Sequence, residues 1–231
     1  RDSHYSAIIQ EICPELKSTQ QGRPLHSRRL PFLRNVITCG FSMDGAITWE
    51  RALQMGESVP IEEVERRAAA GDAHDVCNMQ YTSGTTGFPK GVMLTHYNII
   101  NNGKCIGDRM DLSTADRLMI QVPMFHCFGM VLAMIAAMTH GSTIFPLPYF
   151  SAKPALECIN QERITAFHGV PTMFIAMLSH ADFERTDFSY MRTGIMAGSP
   201  CPVAVMTDFM NKMNMNEITI VYGQTESSPG C

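Results

Sequence analysis

The stretch Tyr-Thr-Ser-Gly-Thr-Thr-Gly-Phe-Pro-Lys-Gly at Tyr81–Gly91 decides how this sequence is interpreted. Glycine reaches backbone angles that are closed to other residues, so Gly84 and Gly87 allow successive backbone amides to turn toward one anion. Hydroxyl donors and a positive charge come from Ser83, Thr85, Thr86 and Lys90. The composition indicates a loop that wraps a polyphosphate.

Two other interpretations of this stretch can be weighed on its residues. The P-loop of many ATP hydrolases ends in Gly-Lys-Ser/Thr, whereas here Pro89 precedes Lys90 and Gly91 follows it. An ordinary P-loop hydrolase is therefore disfavoured. A surface turn rich in glycine and threonine requires neither the hydroxyl cluster nor the lysine, so we prefer the phosphate loop.

A second stretch, Tyr222-Gly-Gln-Thr-Glu226, offers a flat ring that can stack on a base and a carboxylate that can hold Mg²⁺. Taken alone, a strand-end turn with a solvated glutamate fits it equally well. Together the two stretches resemble the phosphate loop and the Tyr-Gly-x-Thr-Glu motif of the adenylate-forming enzymes, in the expected order. That family includes acyl-CoA synthetases, coumarate ligases, luciferases and peptide-synthetase adenylation domains.

The resemblance implies a set of residues around ATP and Mg²⁺. Tyr222 is expected to stack on adenine, Thr225 to contact the α-phosphate and Glu226 to bind the metal. The β- and γ-phosphates are expected at Thr82, Ser83, Gly84, Thr85, Thr86, Gly87 and Lys90. Further nucleotide contacts are expected at Gly198, Ser199, Pro200, Gly223 and Gln224.

Two of these expectations rest on weaker matches. Ala197-Gly-Ser-Pro200 looks like the family's adenine-side loop, although its prolines also suit a plain loop. His126 lies where acyl-CoA synthetases and luciferases often carry a histidine near the carboxylate to be activated, and an imidazole there can orient that carboxylate. The alternative is a core histidine. His126 and Lys90 are the expected catalytic residues.

Strand-like and helix-like segments alternate along the chain from Val76 onward, which indicates parallel βαβ units. We predict an α/β fold with largely parallel sheets flanked by helices, as in the large N-terminal domain of an adenylate-forming enzyme. Residues 1–75 form a partial subdomain and 76–231 the AMP-binding core in this scheme. The predicted strands are Val76–Thr82, Arg117–Pro123, Ser142–Pro146, Ile164–Gly169, Met191–Ala197 and Ile218–Tyr222. Loops that follow four of them, Ser83–Gly91, Phe125–Gly129, Ala197–Pro202 and Tyr222–Glu226, are expected to converge on one pocket.

Composition excludes several other classes of protein. A net charge of −4 provides no basic surface for nucleic acid. The eight cysteines form no Cys-x-x-Cys pair, so reduced thiols in an intracellular, cytoplasmic protein are expected rather than a zinc site or a disulfide framework. The longest apolar run, Phe128–Met138, is about half of the ~20 residues that span a bilayer and predicts a core helix.

The resemblance is closest to medium- and long-chain acyl-CoA synthetases, so it implies activation of a fatty acid with ATP, Mg²⁺ and coenzyme A. Peptide-synthetase domains carry an aspartate where this chain has Phe125–Phe128, which disfavours an amino acid. Because the chain runs only from Arg1 to Cys231, we expect an inactive internal fragment without the family's lysine-bearing C-terminal domain. A nucleotide-binding module without ligase activity and an enzyme for aryl carboxylates remain alternatives.

Overall fold

The structure is a computed structural model that describes residues 4–20, 23–84 and 87–231. The chain divides into two compact units, Arg1–Gly71 and Asp72–Cys231. The first unit holds helix α1, a 3₁₀ turn, two short parallel strands and two further helices. Their bounds are Tyr5–Ile12 for α1, Pro14–Ser18 for the turn, Ile37–Thr38 for β1, Ile47–Thr48 for β2, Trp49–Gly56 for α2 and Ile61–Ala69 for α3.

The first unit buries a small apolar cluster around Cys13, Leu16 and Leu25. The hydroxyl of Thr48 accepts the backbone N–H of Arg51 at 3.3 Å and so caps α2. Sequence analysis assigned no chemistry to this part of the chain.

The second unit begins with an antiparallel hairpin of β3, Val76–Thr82, and β4, Lys90–Thr95. Thr82 lies opposite Lys90, and Tyr81 lies opposite Gly91. The parallel βαβ pattern indicated by the alternation of strands and helices therefore does not extend to this segment, because β3 and β4 form a separate two-stranded antiparallel sheet. So short a connection can only reverse the chain, since a parallel crossover takes a dozen residues or more.

The remaining strands form a five-stranded parallel sheet in the order β6-β5-β7-β8-β9. Helices connect successive strands, which confirms the predicted α/β class. The strands are β5 Arg117–Ile120, β6 Thr143–Pro146, β7 Ala166–Gly169, β8 Thr193–Ala197 and β9 Glu217–Val221. The helices are α4 His96–Arg109, α5 Ala136–His140, α6 Ala152–Glu162, α7 Pro171–Leu178 and α8 Val203–Lys212, with a π-helix at Phe128–Ile135 that leads directly into α5.

Side chains alternate between the two faces of this sheet and build a separate apolar core on each. Phe167 of β7 packs on one face with Phe174 and Phe209. Its neighbour Ala166 belongs to the core on the other face, which also includes Leu132 of the π-helix. Burial on both faces explains why the strands are apolar throughout rather than alternating.

The apolar run predicted as one core helix, Phe128–Met138, is helical over its whole length, but its first two turns are π-helical. Among the described residues, no helix has the length and apolar character that a bilayer crossing requires.

Candidate functional site

A cavity of about 350 Å³ opens beyond the carboxyl ends of β8 and β9, beside the segment that follows β5. Ligands of open α/β sheets bind at this edge. Four segments that are distant in sequence contribute to its lining. The lining residues are Thr82, His126, Cys127, Phe128, Leu132, Ala197, Gly198, Val221, Gly223, Gln224, Thr225, Glu226 and Pro229.

The β3–β4 hairpin is not part of the five-stranded sheet, and a hydrogen bond connects it to the cavity wall. The side-chain Oε1 of Gln80 accepts the backbone N–H of Cys127 at 3.0 Å. Thr82 lies two residues further along β3, and hence on the same face of the strand. Of the described residues in the predicted phosphate loop, Thr82 is the one that lines the cavity.

The other described residues of the phosphate loop follow Thr82 in the connection between β3 and β4 or begin β4. Gly84 has φ +63°, and a Cβ there would collide with the carbonyl oxygen of Phe88, so the turn requires glycine at this position. Gly87 also has positive φ, and Lys90 is exposed at the start of β4. Ser83 is exposed, and the predicted contacts Thr85 and Thr86 lie outside the described residues.

The loop after β9 is fixed by hydrogen bonds between its own two ends and by hydrogen bonds with helix α4. The N–H of Cys231 donates to the carbonyl of Tyr222 at 3.0 Å, and Gly223 bridges to Gly230. The side chain of Asn102 on α4 donates to the carbonyl of Gly230 at 2.8 Å and accepts its N–H at 3.0 Å. These bonds fix the backbone that carries Gly223–Glu226 into the cavity.

The predicted adenine-side residues border the cavity to different extents. Gly198 lines it, with φ +86°, whereas Ser199 and Pro200 are exposed next to it. The ring of Tyr222 is 77% exposed, and the residue lies between Val221 and Gly223, which both line the cavity. An exposed ring is free to stack on a base that extends from the cavity.

His126 is exposed and lines the cavity, whereas the alternative of a core histidine requires burial. Its Nδ1 accepts the backbone N–H of Phe128 at 3.1 Å. Acceptance at Nδ1 places the proton of the neutral ring on Nε2, so the ring offers one N–H donor.

Cys127 was not predicted as a site residue, yet it lines the cavity from a buried position. Its Sγ is 3.6 Å from the hydroxyl oxygen of Thr225 and 3.8 Å from Nδ1 of His126. Burial raises the pKa of this thiol, and the charge of Glu226 adds to that rise. The thiol is therefore protonated at neutral pH.

The apolar part of the lining was also missed as a site feature. Phe128, Leu132, Val221 and Pro229 contribute it. Their apolar character signalled core packing, and the first three do contact the core as well. Their exposure to the cavity depends on the tertiary arrangement of four segments, which the local sequence does not reveal.

His168 lies behind the cavity lining, next to Phe128 and Leu132. It is fully buried, its Nε2–H donates to the carbonyl of Leu132 at 2.8 Å, and its ring stacks on that of Phe128 with centroids 5.9 Å apart. Burial lowers its pKa to about 4, so the ring is neutral at physiological pH.

The donor set at Glu226 suits a hard cation that brings most of its own ligands. Glu226 is exposed and lines the cavity beside Thr225 and Thr82. Within the described residues, no group of three His, Cys, Asp or Glu side chains is placed to hold a metal alone. Mg²⁺ bound with a nucleotide takes one or two carboxylates and completes its shell with phosphate oxygens and water. One carboxylate among hydroxyls fits that requirement.

A cavity at the carboxyl edge of a parallel sheet, lined in part by Thr82 of a neighbouring hairpin, defines an α/β protein with a ligand-sized cavity where open α/β sheets bind their ligands. The chain belongs to the AMP-binding enzyme family, whose model matches residues 2–231. The match includes residues before 76, where the sequence motifs gave no resemblance.

Individual relatives are acyl-CoA synthetases and ligases. The chain is 47% identical over 230 residues to the putative acyl-CoA synthetase YngI of Bacillus subtilis, covering 99% of this chain and 42% of that protein. It is 38% identical over 235 residues to the mitochondrial medium-chain acyl-CoA ligase ACSF2 of Macaca fascicularis, covering 99% of this chain and 38% of the ligase. The solved structure of a Mycobacterium tuberculosis fatty acyl CoA synthetase superposes with a TM-score of 0.65 at 27% identity, covering 79% of this chain and 35% of that one. The chain thus spans less than half the length of these relatives.

Proposed function

We propose that this chain provides the ATP site for activation of a carboxylic acid, first to an acyl-AMP and then to an acyl-CoA. In the first step a carboxylate oxygen attacks the α-phosphorus and pyrophosphate leaves. In the second step the thiol of coenzyme A attacks the acyl carbon and AMP leaves. The chemistry needs positioning and charge stabilisation more than a covalent contribution from the protein.

The observation that carries this proposal is the convergence of both family motifs on one cavity. Thr82, His126 and Gly223–Glu226 come from separate segments and line the same 350 Å³ space. Membership of the AMP-binding enzyme family supports the same conclusion. A nucleotide-binding turn with another function would not need the histidine and the second loop in the same cavity.

Each polar residue then has a role that follows from its chemistry. Thr82 and Lys90, with the turn between them, bind the β- and γ-phosphates. The Thr225 hydroxyl donates to the α-phosphate. The Tyr222 ring stacks on adenine beside the backbone of Gly198, Ser199 and Pro200, with Gly223 and Gln224 completing the contact.

His126 is assigned to the carboxylate that is activated. Its Nε2–H is a donor suited to a carboxylate oxygen and to the oxygen charge that develops as the acyl-phosphate forms. The bond from the Phe128 N–H to Nδ1 fixes the tautomer and so keeps this donor available. Proton transfer is not required of the ring in this role.

Glu226 would hold Mg²⁺ through one carboxylate oxygen or two, beside the phosphates. When bound, the ion supplies positive charge that neutralises phosphate oxygens during the displacement. The role of this chain is to present a carboxylate that solvent and phosphate can both reach, which agrees with the exposure of Glu226.

The apolar wall favours an alkyl carboxylate as the substrate. Phe128, Leu132 and Val221 present hydrocarbon to the cavity, where an acyl chain can pack. Among described acidic residues, only Glu226 contributes to the lining, and it is assigned to the metal. No carboxylate is then left to pair with the amino group of an amino acid.

The test is carboxylate-dependent exchange of pyrophosphate into ATP, measured on the full natural chain with fatty, aryl and amino acids. We expect exchange with medium or long fatty acids and acyl-CoA formation when coenzyme A is added. Trapping of the acyl-AMP by hydroxylamine separates this activity from ATP hydrolysis. ATP binding without exchange for any acid would instead favour a nucleotide-binding module, and exchange with aryl acids alone would correct the substrate class.

The same assay on residues 1–231 alone tests whether this part is sufficient. We expect exchange to be lost or very weak, because the relatives are more than twice as long as this chain. Exchange at the rate of the full natural chain would contradict this expectation.

A further inference from the structure

Cys127 lies where three segments of the site meet. Its backbone N–H donates to Oε1 of Gln80 on the hairpin at 3.0 Å, and its Sγ is 3.6 Å from Oγ1 of Thr225 in the loop after β9. The residue is 1% exposed. The thiol itself is therefore shielded from solvent, and its contacts are with groups that the protein supplies.

The direction of the thiol–hydroxyl contact follows from the other acceptors nearby. The thiol and the Thr225 hydroxyl each carry one proton, so only one of them donates to the other. Among the described residues, the other acceptor in hydrogen-bond contact with the sulfur is Nδ1 of His126 at 3.8 Å, and it already accepts the Phe128 N–H at 3.1 Å. Oγ1 of Thr225 is thus the better acceptor for the thiol proton.

An anion in the cavity would enforce the same direction. A phosphate oxygen only accepts hydrogen bonds, and it is a far stronger acceptor than a thiol sulfur. The Thr225 hydroxyl therefore gives its proton to phosphate when a nucleotide is bound. Its oxygen lone pairs then face the sulfur and are available to the thiol.

We propose that Cys127 is a positioning residue whose thiol donates to Oγ1 of Thr225 and thereby turns the hydroxyl proton toward a phosphate oxygen. This inference rests on the proposed function, because it requires a phosphate in the cavity. Cys127 does not touch the nucleotide in this arrangement. It acts through Thr225, and its contribution should depend on the presence of phosphate in the ligand.

The test compares AMP with adenosine, which lacks the phosphate but keeps the base and sugar. Binding of both is measured by calorimetry on the full natural chain, the Cys127→Ala variant and the Cys127→Ser variant. We expect Cys127→Ala to weaken AMP binding by about fivefold to tenfold, because it removes the hydrogen bond that orients the phosphate-binding hydroxyl of Thr225. Adenosine binding should change by less than about twofold, because adenosine has no phosphate for that hydroxyl to bind. Cys127→Ser should restore most of the AMP affinity because it retains a donor.

Two further variants keep the outcome interpretable. In a Thr225→Val background the hydroxyl that Cys127 orients is already absent. Adding Cys127→Ala to this variant should therefore leave its AMP affinity unchanged. Cys158→Ala is the matched control, since this half-buried thiol lies outside the cavity lining. It should alter neither affinity.

Two results would overturn the inference. Equal weakening of AMP and adenosine would mean that Cys127 only supports the fold of the loop, and unchanged AMP binding would mean that the thiol does not orient Thr225. Failure of the unmodified protein to bind AMP would count against the proposed function itself, so the two failures are distinguishable.

Discussion

His168 shows how a buried side chain can support the site without touching a ligand. Burial lowers its pKa to about 4, although the backbone carbonyls of Leu132 and Phe167 favour the protonated ring. Its Nε2–H bond to Leu132 and its stacking on Phe128 both reach residues that line the cavity. A neutral ring at this position holds the π-helical wall in place.

The lowered pKa of His168 predicts a loss of stability in mild acid. In the unfolded chain a histidine has a pKa near 6.5, so between about pH 6.5 and 4 the unfolded state binds a proton that the folded state does not. The free energy of unfolding should therefore be fully retained above pH 6.5 and fall by up to about 3 kcal/mol by pH 4. Urea unfolding at pH 7, 6 and 5 measures this slope while most carboxylates stay ionised.

The control for that slope is His168→Gln, which keeps an N–H donor for Leu132 but does not titrate. We expect the variant to be less stable at pH 7 and to lose less stability than the unmodified protein on going to pH 5. Identical slopes would show that His168 does not control the acid response.

Individual residues also show which parts of the candidate site could be predicted from the sequence. Thr82, His126 and Thr225 belong to recognisable motifs, and the structure brings all three to one cavity. Cys127 carries no such signal, because its contact with Thr225 joins residues 98 positions apart. Which thiol lies near which hydroxyl is a property of tertiary packing, and no local pattern records it.

At the level of elements, the strand and helix segments were largely predictable and their pairing was not. Val76–Thr82 was predicted as a strand with its observed bounds. An alternating or apolar run predicts an extended backbone, but the same run suits parallel or antiparallel neighbours. The hairpin with Lys90–Thr95 could have been found only from the shortness of the connection. The π-helical turns at Phe128 likewise left no separate sequence signal.

Helix α4 packs closely against the π-helix and α5 through glycine. A Cβ at Gly103 would lie 2.6 Å from Cγ2 of Ile135 and 3.2 Å from the backbone nitrogen of Ala136. The second contact is with backbone, which cannot move aside as a flexible side chain can. The absence of a side chain at Gly103 therefore sets the distance between these helices.

Gly103→Ala should destabilise the protein despite the better helix propensity of alanine. The propensity gain is about 1 kcal/mol, while overpacking costs about 1–3 kcal/mol, so we expect a net loss of about 1 kcal/mol. Thermal or urea unfolding of the full natural chain measures it.

Gly56→Ala is the matched control for this substitution. Gly56 ends helix α2, and nothing lies within 4 Å of a Cβ built there. The substitution should be neutral or stabilising by less than about 1 kcal/mol. A stabilising effect at Gly103 as well would show that the helices can separate at little cost.

At the scale of the whole second unit, the two ends of the parallel sheet have different roles. The cavity lies at the carboxyl ends, whereas the amino ends are joined by a cluster of charged and polar groups around Arg192. Its guanidinium donates to Asp116 at 2.8 Å, to Glu217 at 2.8 Å and to the carbonyl of Asp111 at 2.7 Å. The hydroxyl of Thr165 donates to Asp116 at 2.7 Å. These residues flank or begin β5, β7, β8 and β9, so the cluster ties together strands that are distant in sequence.

This cluster provides the hydrogen bonds and the positive charge that a buried carboxylate needs. The stability of the fold therefore depends on the cluster. The Asp116 side chain is 4% exposed. Burial opposes its ionisation, but hydrogen bonds from Arg192, Thr165 and the backbone of Ser113 outweigh that cost and hold its pKa below the ordinary value. Removing the guanidinium would leave a buried charge with only neutral donors.

The separation of the two ends predicts that stability and ligand binding can be changed independently. Arg192→Met should lower the free energy of unfolding by about 3 kcal/mol, the cost typical of breaking one side of a buried ion pair. AMP affinity, measured well below the unfolding temperature, should stay within about twofold because the cluster contributes no residue to the cavity lining.

Lys212→Met is the control, since it removes only an exposed pair with Asp208 at 3.9 Å and should cost less than about 1 kcal/mol. A large loss of AMP affinity in folded Arg192→Met protein would mean that strand position at the amino ends is transmitted to the site, and the two ends would then have to be treated as one coupled structure.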